Sequence, residues 1–312
     1  MSRTFITGLV ACVSLAACST HTFRATQPDT PALRREESAA VAAYRAGRYG
    51  DAEHAIEAAV RAADAGDTPP ADRARMLQTR AEIHRVQGRY AAAEVDLAQV
   101  IALRETAFGP DDPQVARAVS NLAVVKGDQG KLDEAEQLDR RALGILERAL
   151  GRDQPDTAMV RCNLAAVVCR LGRCPEAEAE HRRALAARER ALGPTHVDVA
   201  RSLDGLALAI SCQPGRYGEA EPLYRRAATI WENAGPSHPM LGLVLRDWGR
   251  AAVAARRYAE AEPLYRRSLD IEQDAVAQGR VPTHTTASEY AAVLRRLGRD
   301  SDAAAIEAGS TQ

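Results

Sequence analysis

Aromatic residues make up only 4% of this chain, with three Phe and two Trp among 312 residues, so its core is not built around large rings. The interior has to be Ala, Leu and Val packed across many close helix contacts, which favours an all-α protein. Lysine is nearly missing, since Lys126 and Lys131 are its two occurrences. An excess of charge of either sign is missing too. The chain carries 41 basic and 42 acidic residues, a formal charge of -1, mixed along every segment. That balance argues against a nucleic-acid binder and against a general membrane-surface binder. There is no Gly/Ser- or Pro-rich linker between residues 40 and 308, yet one globular core rarely grows beyond about 250 residues before the chain divides. A modular array reconciles the two. A Gly-rich phosphate loop, a His-Glu-x-x-His pair and a serine elbow are also missing, so neither catalysis nor a cofactor is expected.

The first residues have the pattern of a targeting segment. Arg3 supplies a positive charge, residues 5–15 form a short apolar run, and small residues follow up to Cys18. The run is too short for a stable transmembrane span. Leu15-Ala16-Ala17-Cys18 resembles the bacterial lipobox. That resemblance implies a signal peptide over 1–17, acylation of Cys18, and a flexible tether over 18–30 whose composition is polar. Ser19, rather than Asp, follows the cysteine, which by the same resemblance implies the outer membrane, facing the periplasm. The other readings are an ordinary secretory signal and a cytosolic apolar N-terminus.

From there the chain repeats with a period close to 42. Gly47-Arg48-Tyr49 with Ala52-Glu53 recurs as Gly88-Arg89-Tyr90 with Ala93-Glu94 and as Gly130-Lys131-Leu132 with Ala135-Glu136. It continues as Gly172-Arg173-Cys174 with Ala177-Glu178, Gly215-Arg216-Tyr217 with Ala220-Glu221, Arg256-Arg257-Tyr258 with Ala261-Glu262, and Gly298-Arg299-Asp300 with Ala303. Gly109, Gly151, Gly193 and Gly235 mark the other loop, each 42 residues after the last. Apolar residues between the glycines recur at helical spacing, as in Val115, Val119, Leu122 and Ala123 and then Leu132, Ala135, Leu138, Ala142, Leu146 and Ala149. Each repeat is therefore helix, tight turn, longer helix, loop. Glycine closes the helices, and Pro113, Pro155 and Pro239 fall near the next start.

This pattern resembles the 42-residue tetratricopeptide variety of kinesin light chains and many bacterial proteins. Ala220-Glu221-Pro222-Leu223-Tyr224-Arg225-Arg226-Ala227 and Ala261-Glu262-Pro263-Leu264-Tyr265-Arg266-Arg267-Ser268 fit it best. The resemblance implies a right-handed superhelical solenoid of about seven antiparallel helix pairs over 31–308, followed by a polar tail over 309–312. Its small-residue sites are met by Ala40, Ala81, Ala123, Ala165, Ala207, Gly249 and Ala291 on first helices, and by Ala52, Ala93, Ala135, Ala177, Ala220, Ala261 and Ala303 on second helices. Val100, Arg256 and Cys174 depart from it.

The resemblance further implies a concave surface of first helices that receives a peptide or protein segment. Carried over by position, its contacts are Arg34, Arg75, Thr79, Arg117, Asn121, Met159, Asn163, Arg201 and Asp247. Asparagine both donates to and accepts from a peptide backbone. The four arginines give the N-terminal stretch a basic bias, which suits an acidic segment or a free C-terminus; the alternative is that they pair with acids of neighbouring repeats. Asp247 and Glu289 change that character further on.

Past Cys18 lie Cys162, Cys169, Cys174 and Cys212. Cys169 with Cys212, or Cys169 with Cys174, are the pairs read as able to bridge, the alternative being buried thiols. No metal site is expected, because no short paired Cys/His spacing occurs. His181, His196 and His238 have no recurring partner in the sequence. The function expected is a non-enzymatic interaction scaffold of the envelope, serving secretion, pilus or cell-wall machinery, with the lipid anchor its sole membrane contact. The alternatives are a cytosolic regulatory binding module of the same fold, and an enzyme with an unrecognised site.

Overall fold

The computed structural model describes residues 31–66, 68–277 and 285–309. The expected signal peptide over 1–17, the acylated Cys18, the tether over 18–30 and residues 310–312 of the tail lie outside the described residues.

All regular structure among the described residues is helical. In chain order the helices are α1 (Pro31–Arg45), α2 (Tyr49–Ala65), α3 (Pro70–Val86), α4 (Tyr90–Phe108), α5 (Pro113–Asp128), α6 (Leu132–Ala149), α7 (Pro155–Arg170), α8 (Cys174–Leu192), α9 (Val197–Ser211), α10 (Tyr217–Ala234), α11 (Pro239–Ala254), α12 (Tyr258–Ala277), α13 (Thr285–Arg296) and α14 (Asp300–Gly309). The chain divides into two compact halves, one ending at Leu171 and the other beginning at Gly172. In the N-terminal half α1 packs on α2, α3 on α4 and α5 on α6, each second helix packs on the next first helix, and the first helices α5 and α7 also touch. In the C-terminal half α9 packs on α10, α11 on α12 and α13 on α14, with α9 touching α11. This is the helix-pair stacking of a tetratricopeptide-type solenoid in each half.

The turn chemistry explains where helices stop. Gly88 has φ 74°, and the next amide, Arg89, bonds back to the His84 carbonyl at 2.8 Å. A residue in the left-handed region is needed to close a helix this way, and glycine has no Cβ to oppose it. Arg256 takes the same position at φ 61°, and the bond from Arg257 to the Ala252 carbonyl forms at 2.8 Å all the same. An L side chain there costs about 1–2 kcal/mol, which the packed neighbours absorb. Starts are set by Pro113, Pro155 and Pro239 in the first turn of α5, α7 and α11. His196 and His238, which have no partner in sequence, have a shared role here. Each ring Nδ1 accepts the amide of the residue two further on at 3.1 Å, capping α9 and α11.

The small residues are where close approach demands them. Every alanine of the two sites is at most 2% exposed. Gly249 shows why one site is smaller still: a Cβ there would stand 2.9 Å from the Tyr265 ring, and Tyr265 is itself buried. In four repeats the glutamate after the second-helix alanine ties one repeat to the next, while Glu136 and Glu221 pair with Arg140 and Arg225 of their own helices. Glu53 accepts from Gln87 at 2.9 Å and pairs with Arg89, Glu94 accepts from Lys126 at 2.7 Å, Glu178 accepts from Arg216 at 2.7 Å, and Glu262 accepts from Tyr290 at 2.9 Å. Its recurrence is structural.

Candidate functional site

Residues six and two positions before the first-helix alanine lie one turn apart on one helix face. The arginines at the earlier position are all half-exposed or exposed, and three of them face acids. Arg75 pairs with Glu37 of the preceding first helix and lies 3.4 Å from Asp72. Arg117 pairs with Asp156 of the next first helix. Arg201 pairs with Asp198 at 2.9 Å and lies over the Trp231 ring, 5.7 Å from its centre. The basic bias read from the sequence is thus balanced locally, because the same helices carry acids one turn away.

Two of the expected contacts are turned inward. Thr79 is 4% exposed, and its hydroxyl donates to the Arg75 carbonyl within its own helix. Asp247 is 1% exposed and accepts from Arg250 at 3.2 Å. Arg250 in turn grips Glu289 at 2.9 and 2.5 Å, so both acids of the C-terminal half serve a bridge between α11 and α13. Burial raises the Asp247 carboxyl above the usual carboxylate range. Burial and the nearby Asp247 charge raise Asp204 as well.

The asparagines differ from all of these. Asn121 and Asn163 are half-buried, as is Met159. The Asn163 Nδ2 donates to Ser120 Oγ at 3.2 Å, and Ser120 donates to Asp139 Oδ1 at 2.6 Å. Ser120 and Asp139 are both fully buried. Burial lifts the Asp139 carboxyl to about 8, against the lowering by its bond from Ser120. It is therefore neutral at physiological pH, as expected of an acid with no charge beside it.

The position of Asp139 in other second helices holds Ile56, Leu97, Tyr224 and Tyr265, all buried. A polar residue at an otherwise apolar repeat position was the signal that sequence reading passed over. His181 is the second such case. Its ring takes the space a Cβ of Gly205 would need, with Cε1 only 2.3 Å from that point. Gly205 is the counterpart of Asn121 and Asn163, so here an imidazole from α8 occupies the space beside the helix where they carry a carboxamide. Burial, with the Arg188 charge adding to it, holds the ring neutral at about 4.

The disulfide is not one of the two pairs read from the sequence. Cys174 bonds to Cys212, with Cα atoms 6.6 Å apart, while Cys169 is buried outside that bridge. The pairing of Cys169 with Cys212 rested on equivalent sites, but 42 residues after Cys169 stands Ser211. Cys212 is one residue further, about 100° round the helix. It ends α9, which packs on α8, and so meets the cysteine that begins α8. Cys174 fills the place held by tyrosine in four other repeats.

The tetratricopeptide repeat family matches residues 72–148, 114–189, 156–213 and 208–274. No curated protein matches the chain. Among solved structures it is similar to BtubC (BKLC) from P. vanneervenii, with 22% identity, a TM-score of 0.57, and 82% of this chain and 95% of that one covered. A kinesin-light-chain-type protein of Podosopora anserina with nearly identical TPR-like repeats shares 20% identity at a TM-score of 0.54, over 67% of this chain and 99% of that one. Bacillus thuringiensis PlcR, solved with the peptide PapR7 and DNA, shares 14% identity at a TM-score of 0.52, over 65% of this chain and 70% of that one. At these identities the likenesses speak to the fold. The first three family matches start 42 residues apart, at 72, 114 and 156, and together the matches run without a gap to residue 274. A match that keeps the chain's own period over most of its length makes this protein a member of the tetratricopeptide-repeat family.

Proposed function

We propose that the protein is a non-catalytic scaffold whose first-helix face holds an extended segment of a partner protein. The observation that carries this reading is the contrast on that face of the N-terminal half: Arg75 and Arg117 are matched by acids, whereas the Asn121 carboxamide bonds to nothing among the described residues and Asn163 makes one hydrogen bond. Half-buried carboxamides with unused donors and acceptors suit a peptide main chain. An acidic segment or a free C-terminus is received by exchange, its carboxylate taking the place of Asp156 on Arg117. Exchange of one ion pair for another adds little affinity, so main-chain bonds come first and binding depends weakly on salt.

For location, the reading is an exported lipoprotein anchored through Cys18 at the outer membrane and facing the periplasm. Leu15-Ala16-Ala17-Cys18 and Ser19 support it, and a disulfide between Cys174 and Cys212 suits an oxidising compartment. Secretion, pilus or cell-wall machinery is the process such a scaffold serves. A cytosolic regulatory module is the second reading, favoured by the likeness to PlcR, which was solved with a peptide.

A photoreactive residue at Asn121, in the native host, tests the site and the compartment together. Capture of one or two envelope proteins, lost with Asn163→Ala, supports the scaffold. Capture that survives Asn163→Ala removes the face from consideration. Intact mass decides location: loss of residues 1–17 with added acyl chains supports the lipoprotein, and an unprocessed N-terminus supports the cytosolic module.

A further inference from the structure

The N-terminal half contains one polar line that the stacking of helices does not require. Three side chains from three helices form it: Asp139 on α6, Ser120 on α5 and Asn163 on α7. In the two preceding repeats the position of Asp139 is filled by Ile56 and Leu97, which pack there with no polar atom to satisfy. Burying a carboxyl is unfavourable unless it is bonded, and Asp139 Oδ2 has no partner. The line therefore sacrifices stability at a place where leucine would serve.

Its direction follows from proton counting. Ser120 has one hydroxyl proton, and at 2.6 Å that proton goes to Asp139 Oδ1. A neutral carboxyl with its proton on Oδ2 accepts at Oδ1 as a carboxylate does; a proton on Oδ1 would donate to Ser120 and reverse the line, but the group that Asn163 turns to Ser120 Oγ is its Nδ2, a donor, which fits the first arrangement. With its proton committed, Ser120 Oγ can only accept from Asn163. The carboxamide must turn its NH2 group inward, and its Oδ1 faces away from Ser120. Among the described residues the nearby arginines have acids of their own: Arg117 on α5 is held by Asp156, and Arg161 on α7 is held by Glu147 at 2.5 Å.

We infer that Ser120 and Asp139 are positioning residues that set the Asn163 carboxamide with its oxygen outward, as a fixed acceptor for a main-chain N–H of the bound segment. This rests on the first-helix face being the binding face. Asn121 has no such backing and adapts its orientation to the ligand, so the two asparagines divide the work: one reads a donor, the other takes either group. A side chain held before binding loses less freedom on binding.

The experiment follows the Asn163 side-chain NH2 signals by NMR in the full chain, assigned through Asn163→Asp. One proton is expected to be shifted and slow to exchange, and the Asn121 pair serves as the unrestrained control. Ser120→Ala abolishes the difference, while Asp139→Asn preserves it, because its amide oxygen still accepts from Ser120. Where Ser120→Ala alone does not fold, the double variant Ser120→Ala with Asp139→Leu leaves no orphaned acceptor and gives the same reading. The binding arm uses twelve-residue peptides selected from a random library on the wild-type protein. Roughly three- to tenfold weaker binding to Ser120→Ala, with Asp139→Asn within twofold of wild type, is the expected result. Equal, fast-exchanging Asn163 protons in the wild type, or signals indifferent to Ser120→Ala, overturn the inference. A library that yields no binder while the NMR difference holds removes the binding-face reading instead, and leaves the fixed orientation as a structural fact.

Discussion

Asp139 is the residue with the clearest pH signature. Its carboxyl moves from an ordinary 3.8 to about 8 on folding because burial disfavours its charge. Between those values the folded chain keeps a proton that the unfolded chain has lost, so stability falls as pH rises through that window and levels off above it. At roughly 1.4 kcal/mol per pH unit, the loss is at most about 6 kcal/mol. Asp139→Asn has no such proton to lose. Its urea midpoint is expected to exceed that of wild type at pH 8, with the gap closing toward pH 4; an equal gap at both pH values would show that the carboxyl ionises normally. Gly205 offers a second test. Restoring the asparagine found in neighbouring repeats, Gly205→Asn, drives a Cβ into the His181 ring, and overpacking of this kind costs typically 1–3 kcal/mol. Adding His181→Ala should recover most of the loss, which a thermal-melting double-mutant cycle measures.

Between elements, Glu53, Glu94, Glu178 and Glu262, each following a second-helix alanine, act as ties to the next repeat, and their ionisation carries the tie. Hydrogen bonds from Arg216, then from Gln213 and Arg182, outweigh the cost of burial and hold the Glu178 carboxyl down at about 2. A lowered carboxylate adds stability above its unfolded value near 4.5 and loses it as pH falls toward 2. Glu178→Gln is therefore expected to melt below wild type at pH 7, with the difference shrinking to nothing near pH 2. The tie was half legible in sequence: the recurrence of the glutamate after alanine marked it as structural, but its partners lie 34 to 37 residues on in the clearest cases, Gln87, Gln213 and Arg299. Such distances carry no periodic signal of their own. The capping role of His196 and His238 was hidden in another way, since histidine is an uncommon cap and Asp112 fills the same place in an earlier repeat.

At the scale of the whole molecule, a stack of repeats has stability distributed along its length, so local changes are felt locally. The Cys174–Cys212 bridge closes a loop of 38 residues, which should add about 2–4 kcal/mol. Reduction is expected to raise hydrogen exchange in α8 and α9 while leaving α3 to α5 near their oxidised rates; a uniform increase would mean that the two halves unfold together. The period of 42, the helix pairs, the alanine sites and the turn glycines were all determined by the sequence itself. They recur along the repeats, with Arg256 for one turn glycine and Gly249 for one alanine, and each follows from a local rule about helix faces, close approach or the left-handed region. What only the tertiary structure decided is what the repeat does not repeat: that Arg117 faces Asp156, that Asp247 is buried under Arg250, that Asn163 leans on Ser120, and that Cys174 rather than Cys169 reaches Cys212. These pairings depend on how side chains of different helices meet across an interface. A one-residue shift, about 100° of helix, is enough to change the partner.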